Sequence, residues 1–290
     1  MKLYLDIVRS ILAHGVRTAN RTGIDTLAIA GMMFEHDMAE GFPLLTSKKV
    51  NFRLVATELE FFIKGVTDKK WLQDRNNHIW DEWASTDKAP YGHTVQAKER
   101  MMQERDLGPI YGFQWRHFGA HYDSYDTDYA GQGYDQLKLL VETLKKNPHD
   151  RRMIVSAWNP LALGHMALPP CHYAFQVTVI NDRLNLLWNQ RSVDVMLGLP
   201  FNIASYALLL HLLAQETGFK EGKLVGFLAD VHMYINHVEG ALEQIKRDPH
   251  VYTLPEMVTE PFVSLFEWQA EHSQLVNYQS YPAIKFEIAV

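Results

Sequence analysis

The chain has 290 residues, of which 47% are hydrophobic, 12% aromatic and 21% charged, with a formal net charge of -6. That length builds one large domain or two small ones, and the acidic balance argues against a protein that coats nucleic acid, which needs a basic excess. A lone cysteine, Cys171, excludes an internal disulfide and any multi-cysteine metal site, and fits a reducing compartment.

The opening Met1-Lys2-Leu3-Tyr4-Leu5-Asp6 puts an acid where a signal peptide needs its apolar core. The richest apolar run, 206–214, is too short to span a bilayer and contains His211. A cytoplasmic protein is expected. Residues 1–14 carry Leu3, Ile7, Val8, Ile11 and Leu12 at helical spacing, with Gly15 as a stop. The segment 25–38 alternates loosely, as a strand pair would. Thr46 or Ser47 is placed to cap a helix that runs to about Lys64 and ends at Gly65. Asp68 opens a short helix through Trp71 and Leu72. Residues 86–106 are polar, lack clear periodicity and read as a surface insertion. Asp135 caps a helix with Leu137, Leu140, Val141 and Leu144 on one face, which Asn147-Pro148 ends.

Strands dominate the middle. The run 152–158 is β-branched and apolar, closed by Asn159-Pro160. Residues 172–180 and 183–192 flank Asn181-Asp182, a pair that tolerates positive φ and predicts a tight hairpin turn. Asn202 to Thr217 predicts a buried apolar helix stopped by Gly218. A strand at 223–234 and a helix at 239–247, broken at Pro249, follow. There is no internal repeat, no low-complexity tract and no Pro/Gly-rich linker. The expected fold is a single α/β domain of α+β type over 1–290, with a large mixed, mostly antiparallel sheet covered by helices, because strict strand–helix alternation is missing.

Cys171 follows Pro169-Pro170, which fix the backbone just before the thiol. It reads either as an inert buried side chain or as a nucleophile. Arg21, Arg151, Arg152 and Arg191 stand in short polar clusters, and the planar guanidinium fork suits a phosphate. Glu58 has Leu54, Val55, Phe61 and Phe62 as its helical neighbours, which suits an acid–base group tuned by desolvation. Glu60 faces Lys64 instead. Asn202 is read as opening its helix, as a cap or as a functional amide. His232 and Tyr234 alternate on a strand and so face the same way. His117 and His121 lack a third partner, so zinc is not expected, and no Gly-rich phosphate loop is present. The group Trp71, Trp80 and Trp83 reads as core or as a stacking surface for a flat ligand.

Seven blocks together resemble the folate-dependent, cysteine-nucleophile thymidylate synthase family: 79–83 (IWDEW), 108–112 (GPIYG), 150–152 (DRR), 166–172 (MALPPCH), 190–194 (QRSVD), 197–206 (LGLPFNIASY) and 282–285 (PAIK). The resemblance runs from Arg21 to Val290. It implies methylation of dUMP to dTMP with 5,10-methylenetetrahydrofolate as carbon donor and hydride source, and no metal. Cys171 would be the nucleophile toward pyrimidine carbon 6, and Glu58 would serve the proton-transfer network. The dUMP site would comprise Arg21, Tyr111, His172, Gln190, Arg191, Ser192, Val193, Asp194, Asn202, His232, Met233 and Tyr234, with Arg151 and Arg152 supplied across a homodimer interface. The folate site would comprise Asn51, Ile79, Trp80, Trp83, Asp194, Leu197, Gly198, Phe201 and Ala289, closed by the terminal carboxylate of Val290. The arginines would also favour the thiolate. Asn202 would donate to one uracil carbonyl and accept from the ring N–H, rejecting cytosine if its flip is fixed by neighbours. Neither a membrane nor a nucleic acid is required. Asn51, Asn189 and Leu228-Ala229-Asp230-Val231 depart from the commoner family pattern, and the last two could reshape the cleft. Two alternatives remain: a dUMP hydroxymethylase of the same superfamily, in which water captures the intermediate, and a catalytically silent RNA- or protein-binding relative.

Overall fold

The computed structural model describes residues 1–288. In chain order the elements are α1 (Lys2–His14), β1 (Val16–Thr18), β2 (Thr26–Asp37), α2 (Phe52–Ile63), α3 (Lys69–Gln73), α4 (Val95–Gln103), α5 (Tyr111–His117), α6 (Gln136–Lys146), β3 (Ile154–Ser156), β4 (His172–Ile180), β5 (Arg183–Asp194), α7 (Gly198–Thr217), β6 (Lys220–Tyr234), α8 (Val238–Gln244), β7 (Glu256–Thr259) and β8 (Ser273–Val276). Six strands form one sheet in the order β1-β2-β6-β5-β4-β3, and β7 and β8 pair apart from it. All neighbours in the large sheet are antiparallel except β5 and β6. That parallel pair needs a crossover, which α7 provides. The result is the expected mixed α/β architecture.

The β4–β5 turn forms where Asn181 and Asp182 predict it, with φ of 51° and 57°. One face of the sheet packs on α1 and α7, and α2 lies beyond α7, against α5. Apolar residues of these layers form one continuous core. The other face carries the exposed side chains Met33, Ile154, Ile180 and Phe227. Among the described residues no helix is long and apolar enough to cross a membrane.

Four local expectations are corrected. The segment 25–38 is one long strand, β2, whose hairpin partner is the short β1 and whose other edge pairs with β6. The cap of α2 is Asn51, whose side chain accepts from Arg53 N at 3.2 Å, and not Thr46 or Ser47, which are buried in the preceding turn. Residues 86–106 contain α4, capped by Thr94; a helix that buries only Met101 leaves almost no apolar period to read. Asn202 lies inside α7, which begins at Gly198, so it is not a helix cap.

Candidate active site

A cavity of about 660 Å³ opens where the loop after β1, the ends of β5 and β6 and the segment before β4 converge. Arg21, Trp83, Tyr91, Cys171, Arg191, Ser192, His232 and Tyr234 line it. Each reaches the wall for a local reason. Pro169-Pro170 deliver Cys171 to the start of β4, where a one-residue bulge between His172 and Ala174 re-aims the strand. Arg191 Nε and Nη2 donate to Pro170 O at 2.9 Å and Pro169 O at 2.8 Å, holding the cation beside the thiol. The Cys171 N–H donates to the Tyr111 hydroxyl at 2.7 Å. His232 and Tyr234 do share a face, their rings 5.6 Å apart.

Burial pushes the Cys171 thiol up from its ordinary range. Arg191, Tyr111 and Arg21 all pull the other way, and burial wins. The expectation that the arginines favour the thiolate is therefore met only in sign of contribution: in the free protein the thiol is the dominant form.

Behind the thiol lies an aromatic layer. Tyr111 stacks on His172 at 4.4 Å and on Phe62 at 4.9 Å, and meets Trp80 edge-on at 6.1 Å. The Trp80 indole N–H donates to Glu58 Oε1 at 2.8 Å. Desolvation raises Glu58 to about 7 against that opposing hydrogen bond, so its carboxyl is poised to give and take a proton near neutrality. His172 is buried, donates to or accepts from Tyr206 at 2.9 Å, and is held neutral by burial, which lowers it to about 3. Glu60, on the neighbouring face, pairs with Lys64 and accepts the Ala270 N–H at 3.0 Å.

Asn202 is tied to the sheet by a directed chain. The Trp188 indole N–H donates to Gln190 Oε1 at 3.1 Å, and Gln190 Nε2 donates to Asn202 Oδ1 at 2.9 Å and to Ser192 O at 3.0 Å. Asp194 turns back on its own loop, accepting from Met196 N at 3.0 Å and Leu197 N at 3.2 Å. Gly198 sits between Asp194 and Asn202, where an added Cβ would lie 3.7 Å from Asn202 Oδ1 and 3.8 Å from Asp194 Cβ.

Other expected residues lie elsewhere. Val193 and Met233 are fully buried in the core, because strand alternation turns them away from Ser192 and from His232 and Tyr234. Ile79, Leu197 and Phe201 are half-buried, while Asn51 is exposed and spends its side chain on the helix cap. Arg151 and Arg152 are exposed ahead of β3 and outside the cavity; Arg152 makes a bidentate pair with Asp150. Asn189 pairs in register with Phe227 and lies on the sheet's open face, so it does not reshape the cavity. Ala289 and Val290, expected to close the folate site, lie outside the described residues.

Three contributors are not legible in the sequence. Tyr91 reaches the cavity from the polar 86–106 segment, stacks on Trp83 (6.1 Å, 12°) and lies 4.8 Å beneath the Arg21 guanidinium. Lys69, 1% exposed, donates to the carbonyls of Asp81 and Trp83 at 2.9 Å each and of Met101 at 2.6 Å, joining that segment through Met101 to the 81–83 turn. Lys48 donates to Met196 O beside Asp194, and burial lowers it to about 8. Among the described residues no group of three or more His, Cys, Asp or Glu could hold a metal ion.

The sequence matches the thymidylate synthase family model over residues 2–290. It is 46% identical over 287 residues to a bifunctional dihydrofolate reductase-thymidylate synthase of Paramecium tetraurelia, 44% identical over 288 residues to a thymidylate synthase of Homo sapiens, and 43% identical over 291 residues to the bifunctional protein of Leishmania major. Each match covers 99% of this chain, which spans 61%, 90% and 55% of those proteins respectively. With a thiol-bearing cavity on its sheet and this similarity along its length, the chain belongs to the thymidylate synthase family.

Proposed function

We propose that this chain converts dUMP to dTMP, with 5,10-methylenetetrahydrofolate as the one-carbon donor and hydride source. The observation that carries the reading is the convergence of Cys171, Arg191, Arg21 and Ser192 on one cavity whose neighbouring amide, Asn202, is held in a fixed orientation. Arg21, Arg191 and Ser192 bind the phosphate through charge-assisted bonds. His232 and Tyr234 take the deoxyribose hydroxyl. Asn202 meets the uracil edge, and Asp194, Trp80, Trp83, Leu197, Gly198 and Phe201 form the folate side.

Uracil carbon 5 is a poor nucleophile. Addition of the Cys171 sulfur to carbon 6, with loss of the thiol proton, gives an enolate whose carbon 5 attacks the folate methylene. Removal of the carbon 5 proton and elimination of tetrahydrofolate leave an exocyclic methylene on the ring. Hydride from the folate reduces that methylene to a methyl group as the sulfur departs, so dTMP and dihydrofolate form together. Glu58, with a carboxyl near 7, serves the proton movements. The free thiol is mostly protonated, so its proton leaves as the substrate is engaged.

The reading extends to a homodimer. Gln176 on the sheet's open face donates to Arg151 O at 3.4 Å, which puts the exposed Arg151-Arg152 turn beside the face that carries Met33, Phe227, Ile154 and Ile180. A second copy seated there would receive those arginines near its own phosphate site. No observation of the site favours a hydroxymethyl product, and the relatives named above are synthases.

Incubation with dUMP and methylenetetrahydrofolate is expected to give dTMP and dihydrofolate in equal amounts. Cys171→Ser should abolish turnover and retain dUMP binding. Formation of hydroxymethyl-dUMP with tetrahydrofolate, or near-normal turnover by the serine variant, would overturn the assignment.

A further inference from the structure

We propose that Trp188 determines pyrimidine specificity: through Gln190, its indole N–H sets which end of the Asn202 amide faces the base. This rests on the reading that Asn202 meets the uracil edge. An indole N–H only donates. The atom 3.1 Å from Trp188 Nε1 must therefore be the acceptor end of the Gln190 amide, which sends the Gln190 NH₂ toward Ser192 O and Asn202. An amide NH₂ also only donates, so Asn202 must offer it Oδ1. The Asn202 NH₂ is then the group left for a ring carbonyl, as uracil presents. Cytosine presents an amino group there and would need Asn202 reversed.

The donor at the head of this chain cannot swing. Trp188 is 0% exposed, stacked on Tyr206 (5.5 Å, 13°) and tilted against Phe34 at 5.9 Å. It stands in register with Gly226 on the parallel strand β6. A Cβ at Gly226 would fall 2.4 Å from the indole ring, so the glycine vacates the volume that the ring fills. Replacing Trp188 with an apolar ring leaves Gln190, itself 2% exposed, with an unmatched buried carbonyl and only Ser192 O to fix its flip. Reversed Gln190 and Asn202 amides then become accessible, and those suit cytosine.

The test measures dissociation constants of dUMP and dCMP for the parent protein and for Trp188→Phe, with thermal melts to confirm folding. The dUMP preference is expected to fall by about tenfold, the size of one buried hydrogen bond. General loosening of the core would weaken both nucleotides alike and leave their ratio unmoved, and an unchanged ratio in a folded variant overturns the proposal. If Trp188→Phe does not fold, benzothienylalanine placed at 188 by amber suppression keeps the two-ring shape without the N–H, and the same drop is required of it. A parent protein with no preference for dUMP over dCMP would instead overturn the reading of Asn202.

Discussion

At the scale of single residues, the site depends on burial overriding charge. Cys171 has Arg191 and Arg21 nearby, yet its thiol is raised, and Glu58 is lifted to about 7 although it accepts a hydrogen bond. For Glu58 this has a pH signature. The free enzyme's kcat/KM should show an inflection near pH 7 that Glu58→Gln removes, with turnover reduced by roughly 10²-fold or more; a profile retained in the variant would reject the role. Stability follows the same displacement. A carboxyl raised in the folded state contributes fully below its ordinary range near 4.5 and loses that contribution as pH rises through about 7. Glu58→Gln should therefore raise the melting temperature at pH 8 more than at pH 4, which paired thermal melts would show. The apolar flank of Glu58 was legible because its neighbours lie three and four places away on one helix. Trp188 was not, since its packing partners Gly226, Tyr206 and Phe34 come from other elements, and nothing local marks a tryptophan as a donor to a glutamine.

At the scale of elements, the polar 86–106 segment gains a purpose from what it carries. Lys69 binds its backbone, α4 anchors it through Met101, and Tyr91 is thereby set beneath Arg21. An aromatic face under an exposed guanidinium contributes about 0.5–1 kcal/mol. Tyr91→Ala should accordingly weaken dUMP binding about two- to fivefold with kcat unchanged, and Tyr91→Phe should restore it; equal binding by the alanine and phenylalanine variants would show that the ring does not hold Arg21. Caps and turns with their own side-chain chemistry, such as Asp68, Asp135 and the Asn181-Asp182 pair, could be read from the sequence. The start of α2 could not, because Thr46, Ser47 and Asn51 are all good caps and burial in the preceding turn chose among them. Helix α7 is legible in the sequence from Asn202 on, but its start is not: its first turn, Gly198-Leu199-Pro200, contains residues of poor helical propensity that are nonetheless welcome at a helix start.

At the scale of the whole molecule, the proposed dimer would place parts of each phosphate site on two chains. Mixing Cys171→Ser with Arg151→Ala subunits should recover activity, since one heterodimer site then has both groups intact; no recovery after demonstrated subunit exchange would count against sharing. Fold class and a few of the cavity's polar side chains, Arg21, Cys171, Arg191, Ser192, His232 and Tyr234, are legible from local pattern and from family likeness, whereas the rest of the wall and the sheet order are not, because they are set by the whole tertiary structure. That order carries a consequence for how the protein comes into being. β2 aligns with β6 from Thr26↔Tyr234 to Asp37↔Lys223, so β2 waits for a strand made long after it. Until then its long edge is open to other chains. The wall that bears Arg21 is completed only once β6 has been made, so the nascent chain carries an unpaired strand edge, open to misassociation, through the elongation that separates the two strands.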